Sequence, residues 1–179
     1  MEIIDVFNEN NEPLNYTMTR DEVHEKNLWH RHASGWIMNK KGEILLQKRA
    51  KTKKKNPGIW SKTGGHVDSG ESPIEAVKRE IKEEIGIDIN DSDLKLMNIY
   101  KSEGKDHYFS YGYVVFVDKK VNEFVLQEDE VEEVKYYTIE ELEELKRNKD
   151  ENYTFYKWED DDFYRQMNEL KIFREELKK

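Results

Sequence analysis

The sequence predicts a chain in which strands surround two or three helices, an α+β or α/β sandwich. Three observations lead to it. Residues 33–49 read as two apolar runs around a four-residue turn ending in Gly42, Tyr108–Val117 (YFSYGYVVFV) is rich in aromatic and β-branched residues, and residues 72–86 and 163–177 carry apolar residues at helical spacing.

Glu2–Phe7 reads as a short strand, and Asn8–Pro13 (NENNEP) as the turn-rich connection of a hairpin. MTRDEVHEKNLWHRH is then polar and irregular, with His24, His30 and His32 close together. Ala33–Met38 and Glu43–Arg49 flank Asn39–Gly42 as the clearest hairpin. Lys51–Lys55 (KTKKK) is a basic loop, Pro57-Gly58 forces a turn, and Trp60 returns to the core. Leu94–Lys101, Tyr108–Val117 and Val131–Tyr137 read as strands. Thr138 and Glu141 form a capping box that opens a helix to about Lys146. Lys149–Asp162 is acidic and aromatic, and Phe163, Met167, Leu170, Phe173 and Leu177 mark a terminal amphipathic helix. The division expected is one domain over residues 1–148, with a C-terminal helical extension over 149–179 packing on it.

The 179 residues are enough to bury a core. Charged residues make up 39% and mean hydropathy is −1.03, while four Trp, ten Tyr and seven Phe argue against disorder. A formal charge of −9 disfavours a nucleic-acid duplex as partner. The absence of cysteine excludes disulfides, thiolate zinc sites and a cysteine nucleophile. An acidic N-terminus without an apolar h-region, and no run approaching 18 apolar residues, lead to the expectation of a cytoplasmic protein with no membrane partner.

The chemistry is expected in GHVDSGESPIEAVKREIKEEIGI, residues 65–87. Ser72 is an N-cap, Pro73 suits the first helical position and Glu75 completes a capping box, so a helix starts at about Pro73 and closes at Gly86. Ile74, Val77, Ile81 and Ile85 form one stripe, with Glu80, Glu83 and Glu84 on a neighbouring side. Like charges at that spacing repel by a few tenths of a kcal/mol per pair, roughly, unless a cation compensates them. Arg79 can bridge some; a hard dication such as Mg²⁺ suits carboxylate oxygen better. A solvated Glu-rich face is the commoner role of an E-x-x-E-E run. The preceding Gly64, Gly65 and Gly70, which give flexible backbone ahead of the helix, favour the cation.

The order Gly65, Glu71, Arg79-Glu80-Ile81, Glu83-Glu84, Gly86-Ile87 matches the Nudix box at every defined position, and the chain resembles the Nudix hydrolase superfamily. WHRHA, QKR and Pro-Gly-x-Trp ahead of the box resemble the isopentenyl-diphosphate isomerase-like branch over about residues 2–145. The resemblance implies an α/β/α sandwich with a mixed central sheet between helices. It implies Glu80, Glu83 and Glu84 as ligands of Mg²⁺ or Mn²⁺, with Gly65 in the metal site and one of the glutamates as general base. Glu71 stands behind them, and Arg79 holds them by bidentate hydrogen bonds. Glu128 and Glu130 are candidates for a base outside the box, or a solvated acidic loop.

In those isomerases a cysteine just before the Gly-His pair transfers a proton; here Gly64 stands there and the box is intact. The expected activity is hydrolysis of the diphosphate linkage in a small-molecule nucleoside diphosphate derivative. A non-catalytic nucleotide sensor is the alternative, and isomerase activity ranks below both. His66 stands where the isomerases have a metal-binding histidine, and His24 and His30 fall near two more, which frames a second divalent site; isolated histidines more often serve loop backbone. Arg49, Lys48 and the lysine loop are candidates for the diphosphate. Trp29, Trp60 or Tyr108 could stack on a base, although aromatics in such domains are more often core. The C-terminal helix could cover the site or form a homodimer interface.

Overall fold

The computed structural model describes residues 2–53 and 55–178; Lys54 of the basic loop, Met1 and Lys179 lie outside the described residues. Strands β1 (Ile3–Phe7) and β2 (Pro13–Thr19) form an antiparallel hairpin of their own, joined by the NENNEP turn with Asn11 left-handed at φ 65. The stretch expected to be irregular is not. Thr19 caps helix α1 (Arg20–Glu25) through a reciprocal box with Glu22, and Val23 buries against Ile4 and Val6. A helix of six residues is too short to show apolar periodicity, so its cap and one buried contact hold it.

The seven-stranded sheet comprises β3 (His30–Met38), β4 (Ile44–Arg49), β5 (Trp60–Ser61), β6 (Thr63–His66), β7 (Leu94–Glu103), β8 (His107–Phe116) and β9 (Val131–Tyr137). It is mixed: β3 runs parallel to β8, and the other pairings are antiparallel. β3 begins three residues earlier than the apolar run ASGWIM suggests, because parallel pairing to β8 starts at His30↔Tyr108.

Alternation along β3 separates two cores. Ala33 and Ile37 face helix α2 (Pro73–Ile85), packing with Val77, Ile81, Ile85 and Val115. Trp36 and Met38 face helices α3 (Ile139–Arg147) and α4 (Asp160–Glu176), packing with Leu142, Phe163, Met167 and Leu170. The result is an α/β/α sandwich. α4 starts at Asp160, ahead of its apolar stripe, and places three aspartates in the first turn, where the helix dipole favours negative charge.

One topological feature shapes the site. β3 pairs with β4 only near the hairpin, at Ile37↔Leu45 and Met38↔Ile44; its first half, His32–Gly35, pairs with β6 instead. Residues 60–66 cross from β4 to β3, so the sheet parts there and leaves a cleft at its edge.

Candidate active site at the acidic helix

The Ser72 box, Pro73 at the helix start and left-handed Gly86 at its end occur as the sequence predicts. Arg79 organises the loop and helix. It donates Nε and Nη2 to the two oxygens of Glu71 at 3.0 and 3.1 Å, Nη1 to Glu80 at 2.8 Å and to Glu83 at 3.3 Å, and Nη2 to the His66 carbonyl at 3.1 Å. Glu71 in turn accepts from the Asp68 amide at 3.1 Å. A Cβ at Gly65 would run into the Glu80 carboxylate, so glycine there lets backbone and carboxylate approach.

Glu84 is 5% exposed and accepts from Gln47 Nε2 at 2.8 Å, while Thr63 Oγ1 donates to Gln47 Oε1 at 3.0 Å. Burial pushes the Glu84 carboxyl up to about 8, further than the Gln47 hydrogen bond pulls it down. Glu80 is also raised, burial outweighing the Arg79 ion pair, whereas Glu71 and Glu80 hold the Arg79 guanidinium above its ordinary value against the cost of burial. Carboxyls crowded on one helix and shifted toward the protonated form are the donor set that a hard divalent cation satisfies.

On the other side of β6 the histidines meet. His24 Nε2 lies 3.0 Å from His66 Nε2, and the ligand nitrogens of His24, His30 and His66 all fall within 4.8 Å of one another. His30 Nδ1 is 3.0 Å from the Leu28 carbonyl and so carries the proton; its Nε2 is left as a buried lone pair without a hydrogen-bond partner. Burial depresses the pKa of His30 and His66, and takes His32 down to about 3. Three imidazoles whose nitrogens converge, one of them orphaned, fit a metal ion.

Two neighbours of this cluster are not among the site residues that the sequence predicts. His32 packs on His66 with ring centres 4.1 Å apart, and Asp106 Oδ1 stands 3.3 Å from His24 Nδ1. The i, i+2 spacing of His30 and His32 on a strand signals a shared face; Asp106 left no local signal.

A cleft of about 1380 Å³ joins the two groups: Glu80, Glu83, Glu84, His24, His66 and Arg49 all line it. Lys48 and Trp60, expected to bind substrate, are not among its lining residues. Lys48 pairs with Glu132 at 3.2 Å, and Trp60 packs against Tyr137 and Tyr153. Trp29 is likewise stacked on His107 and Phe109, whereas Tyr108 lines the cleft. Glu128 is exposed outside it; Glu130 lines it and pairs with Lys53.

An α/β/α sandwich with a mixed sheet thus presents an arginine-anchored row of glutamates to a cleft, a donor set suited to a hard divalent cation. The profile described as the NUDIX domain matches residues 28–158. A protein described as an uncharacterized Nudix hydrolase from Clostridium acetobutylicum is 36% identical over 157 residues, covering 83% of this chain and 75% of that protein. An isopentenyl-diphosphate Delta-isomerase of Photorhabdus laumondii is 31% identical over 157 residues, covering 86% of each. A crystal structure of a Deinococcus radiodurans protein superposes with a TM-score of 0.67 at 23% identity, over 79% of this chain and 86% of that one, a likeness of fold. This chain belongs to the Nudix hydrolase family, and it is a hydrolase acting on phosphoric anhydride bonds. No helix among the described residues is long and apolar enough to cross a membrane.

Proposed function

We propose that the protein is a pyrophosphohydrolase that uses Mg²⁺ or Mn²⁺ to cleave the diphosphate linkage of a small nucleoside diphosphate derivative. The observation that carries this reading is the acidic helix: Glu80 and Glu84 enter the cleft with raised pKa values, beside an Arg79 that already spans three glutamates. Divalent ions supply neutralisation of the non-bridging phosphate oxygens and a lowered pKa for the attacking water. Glu80, Glu83 and Glu84 are the residues to hold them, with the Gly65 backbone alongside. Arg79 keeps the carboxylates in register through Glu71, and Arg49 meets the phosphates from the cleft wall. Water adds to one phosphorus, the bridging P–O bond breaks, and a carboxylate takes the proton released, leaving two phosphate-bearing products.

His24, His30 and His66 are proposed as a second divalent site, better matched to Mn²⁺ or Zn²⁺ than to Mg²⁺ because its donors are imidazoles. The isomerase relatives favour no second reading here. A Cβ at Gly64 would collide with the Ala33 carbonyl and the Ser34 backbone, which supports a reading without the cysteine of that chemistry.

The test is a panel of dinucleotides, nucleotide sugars and nucleoside diphosphates with Mg²⁺ and Mn²⁺, read by release of phosphate-bearing products. The double change Glu83→Gln with Glu84→Gln is expected to cost at least about 10²-fold. Tight nucleotide binding with no turnover under any divalent ion would instead mark a sensor.

A further inference from the structure

Lys62 lies between β5 and β6, next to Thr63, whose hydroxyl turns toward Gln47 and the acidic helix. On an extended chain consecutive side chains leave on opposite faces, and Lys62 goes to the face covered by α4. Its ammonium stands 5.1 Å from the ring centre of Trp36 and 5.3 Å from that of Trp158. Among the described residues its side-chain hydrogen bond is a long one, 3.5 Å to Gln166 Oε1, an oxygen that already accepts from Trp36 Nε1 at 3.0 Å.

Among the described residues Lys62 has no ion-pair partner, unlike Lys53 in the same cleft, which pairs with Glu130. Of the acidic residues that the C-terminal segment brings to this cleft, Asp162 binds Arg165 at 3.0 Å and Glu159 is exposed. Burial therefore pushes the Lys62 ammonium down to about 8 with no carboxylate to restore it. A second polar group is also unpartnered, the buried hydroxyl of Ser34, and both residues line the cleft that holds Glu80 and Glu84.

Two tryptophan faces stabilise an ammonium by less than the desolvation of a charge costs. An anion would complete the cradle, since a compact ammonium with free N–H donors suits a phosphate or carboxylate oxygen. Glu84 reaches the cleft on the side of Thr63 and Gln47, whereas Lys62 sits on the opposite side among Trp36, Trp158 and Gln166, which sets an anion at Lys62 apart from a diphosphate held at the acidic helix.

We propose that Lys62, with Gln166 beside it and Ser34 on the wall of the same cleft, binds a second anionic group on the substrate, a phosphate or carboxylate carried away from the cleaved diphosphate. The proposal deepens the hydrolase reading and rests on it for the diphosphate itself. Trp158 and Gln166 come from the C-terminal segment, which makes that segment a specificity element.

The experiment is calorimetric titration, with Ca²⁺ in place of Mg²⁺ to suppress turnover, of wild type, Lys62→Gln and Lys62→Arg. The probes are two matched pairs, NAD⁺ against NADP⁺ for phosphate and UDP-glucose against UDP-glucuronate for carboxylate, and circular dichroism verifies that each variant is folded. Wild type is expected to bind the more anionic member of one pair at least about tenfold tighter. Lys62→Gln should bring the two members within about twofold of each other, Lys62→Arg should keep most of the preference, and the responding pair identifies the anion. No preference in either pair, no binding of any probe, or a preference that survives Lys62→Gln overturns the proposal. Turnover with Mg²⁺ is scored separately, so a preference without hydrolysis would sink the hydrolase reading and leave the anion site standing.

Discussion

Arg79 grips Glu71 with two parallel hydrogen bonds, Nε to Oε1 at 3.0 Å and Nη2 to Oε2 at 3.1 Å, and spends its remaining nitrogen on Glu80 and Glu83. A lysine keeps the charge but cannot form that fork. Arg79→Lys is expected to lower kcat by about tenfold or more while costing little stability. Arg79→Ala should add a loss of about 1–3 kcal/mol, because partly buried carboxylates are left facing one another. Steady-state kinetics beside urea unfolding separates the two effects.

Glu84 has a raised pKa in the metal-free protein, about 8 against an ordinary 4.5. A carboxyl raised in the folded state contributes stability that is fully present below pH 4.5 and is lost as pH rises through 8. Glu84→Gln, which mimics the protonated form, should therefore unfold no more easily than wild type at pH 8 without metal, yet lose about 10²-fold in hydrolysis. A large stability loss in the variant at that pH would contradict the assignment.

The histidines have the opposite sign. His32 titrates near 3 when folded and near 6.5 when unfolded, and burial moves His30 and His66 downward as well. Their contribution is present above pH 6.5 and is lost as pH falls toward 3. Urea midpoints measured across that window should decline with acid, and His32→Gln should flatten the decline.

For the imidazole site, Mn²⁺ at a hundredfold excess over its Kd should stabilise the protein by about 2.7 kcal/mol. His30→Gln removes the orphaned nitrogen and should reduce the thermal shift that remains in a protein also carrying Glu83→Gln and Glu84→Gln. An equal Mn²⁺ shift with and without His30 argues against the site.

Gly64→Cys restores the residue type of the isomerases but places Cβ against the Ala33 carbonyl. The expected result is a loss of about 1–3 kcal/mol and no deuterium exchange into isopentenyl diphosphate.

Much of this was legible because it is written in short-range chemistry. The capping boxes at Ser72 and Thr138, the left-handed stop at Gly86 and the stripe Val77, Ile81, Ile85 act within a few residues of chain, and each appears where the sequence places it. Helix α1 is not legible because one capped turn and a half leaves no period to read, and the start of β3 is hidden because polar His30 and His32 mask a strand that parallel pairing to β8 enforces.

At the acidic helix, the sequence by itself determined the fold class, the row of glutamates and the arginine that ties them, since a 3.6-residue period decides which side chains share a face. Only the tertiary structure decided which groups are buried and with what. It brought His24 to 3.0 Å from His66 across 42 residues, set Gln47 on Glu84, removed Lys48 and Trp60 from the cleft, and left Lys62 between two tryptophans without a carboxylate. The physical reason is that desolvation and pairing depend on neighbours distant along the chain, which the sheet's parting between β4 and β3 brings to one edge.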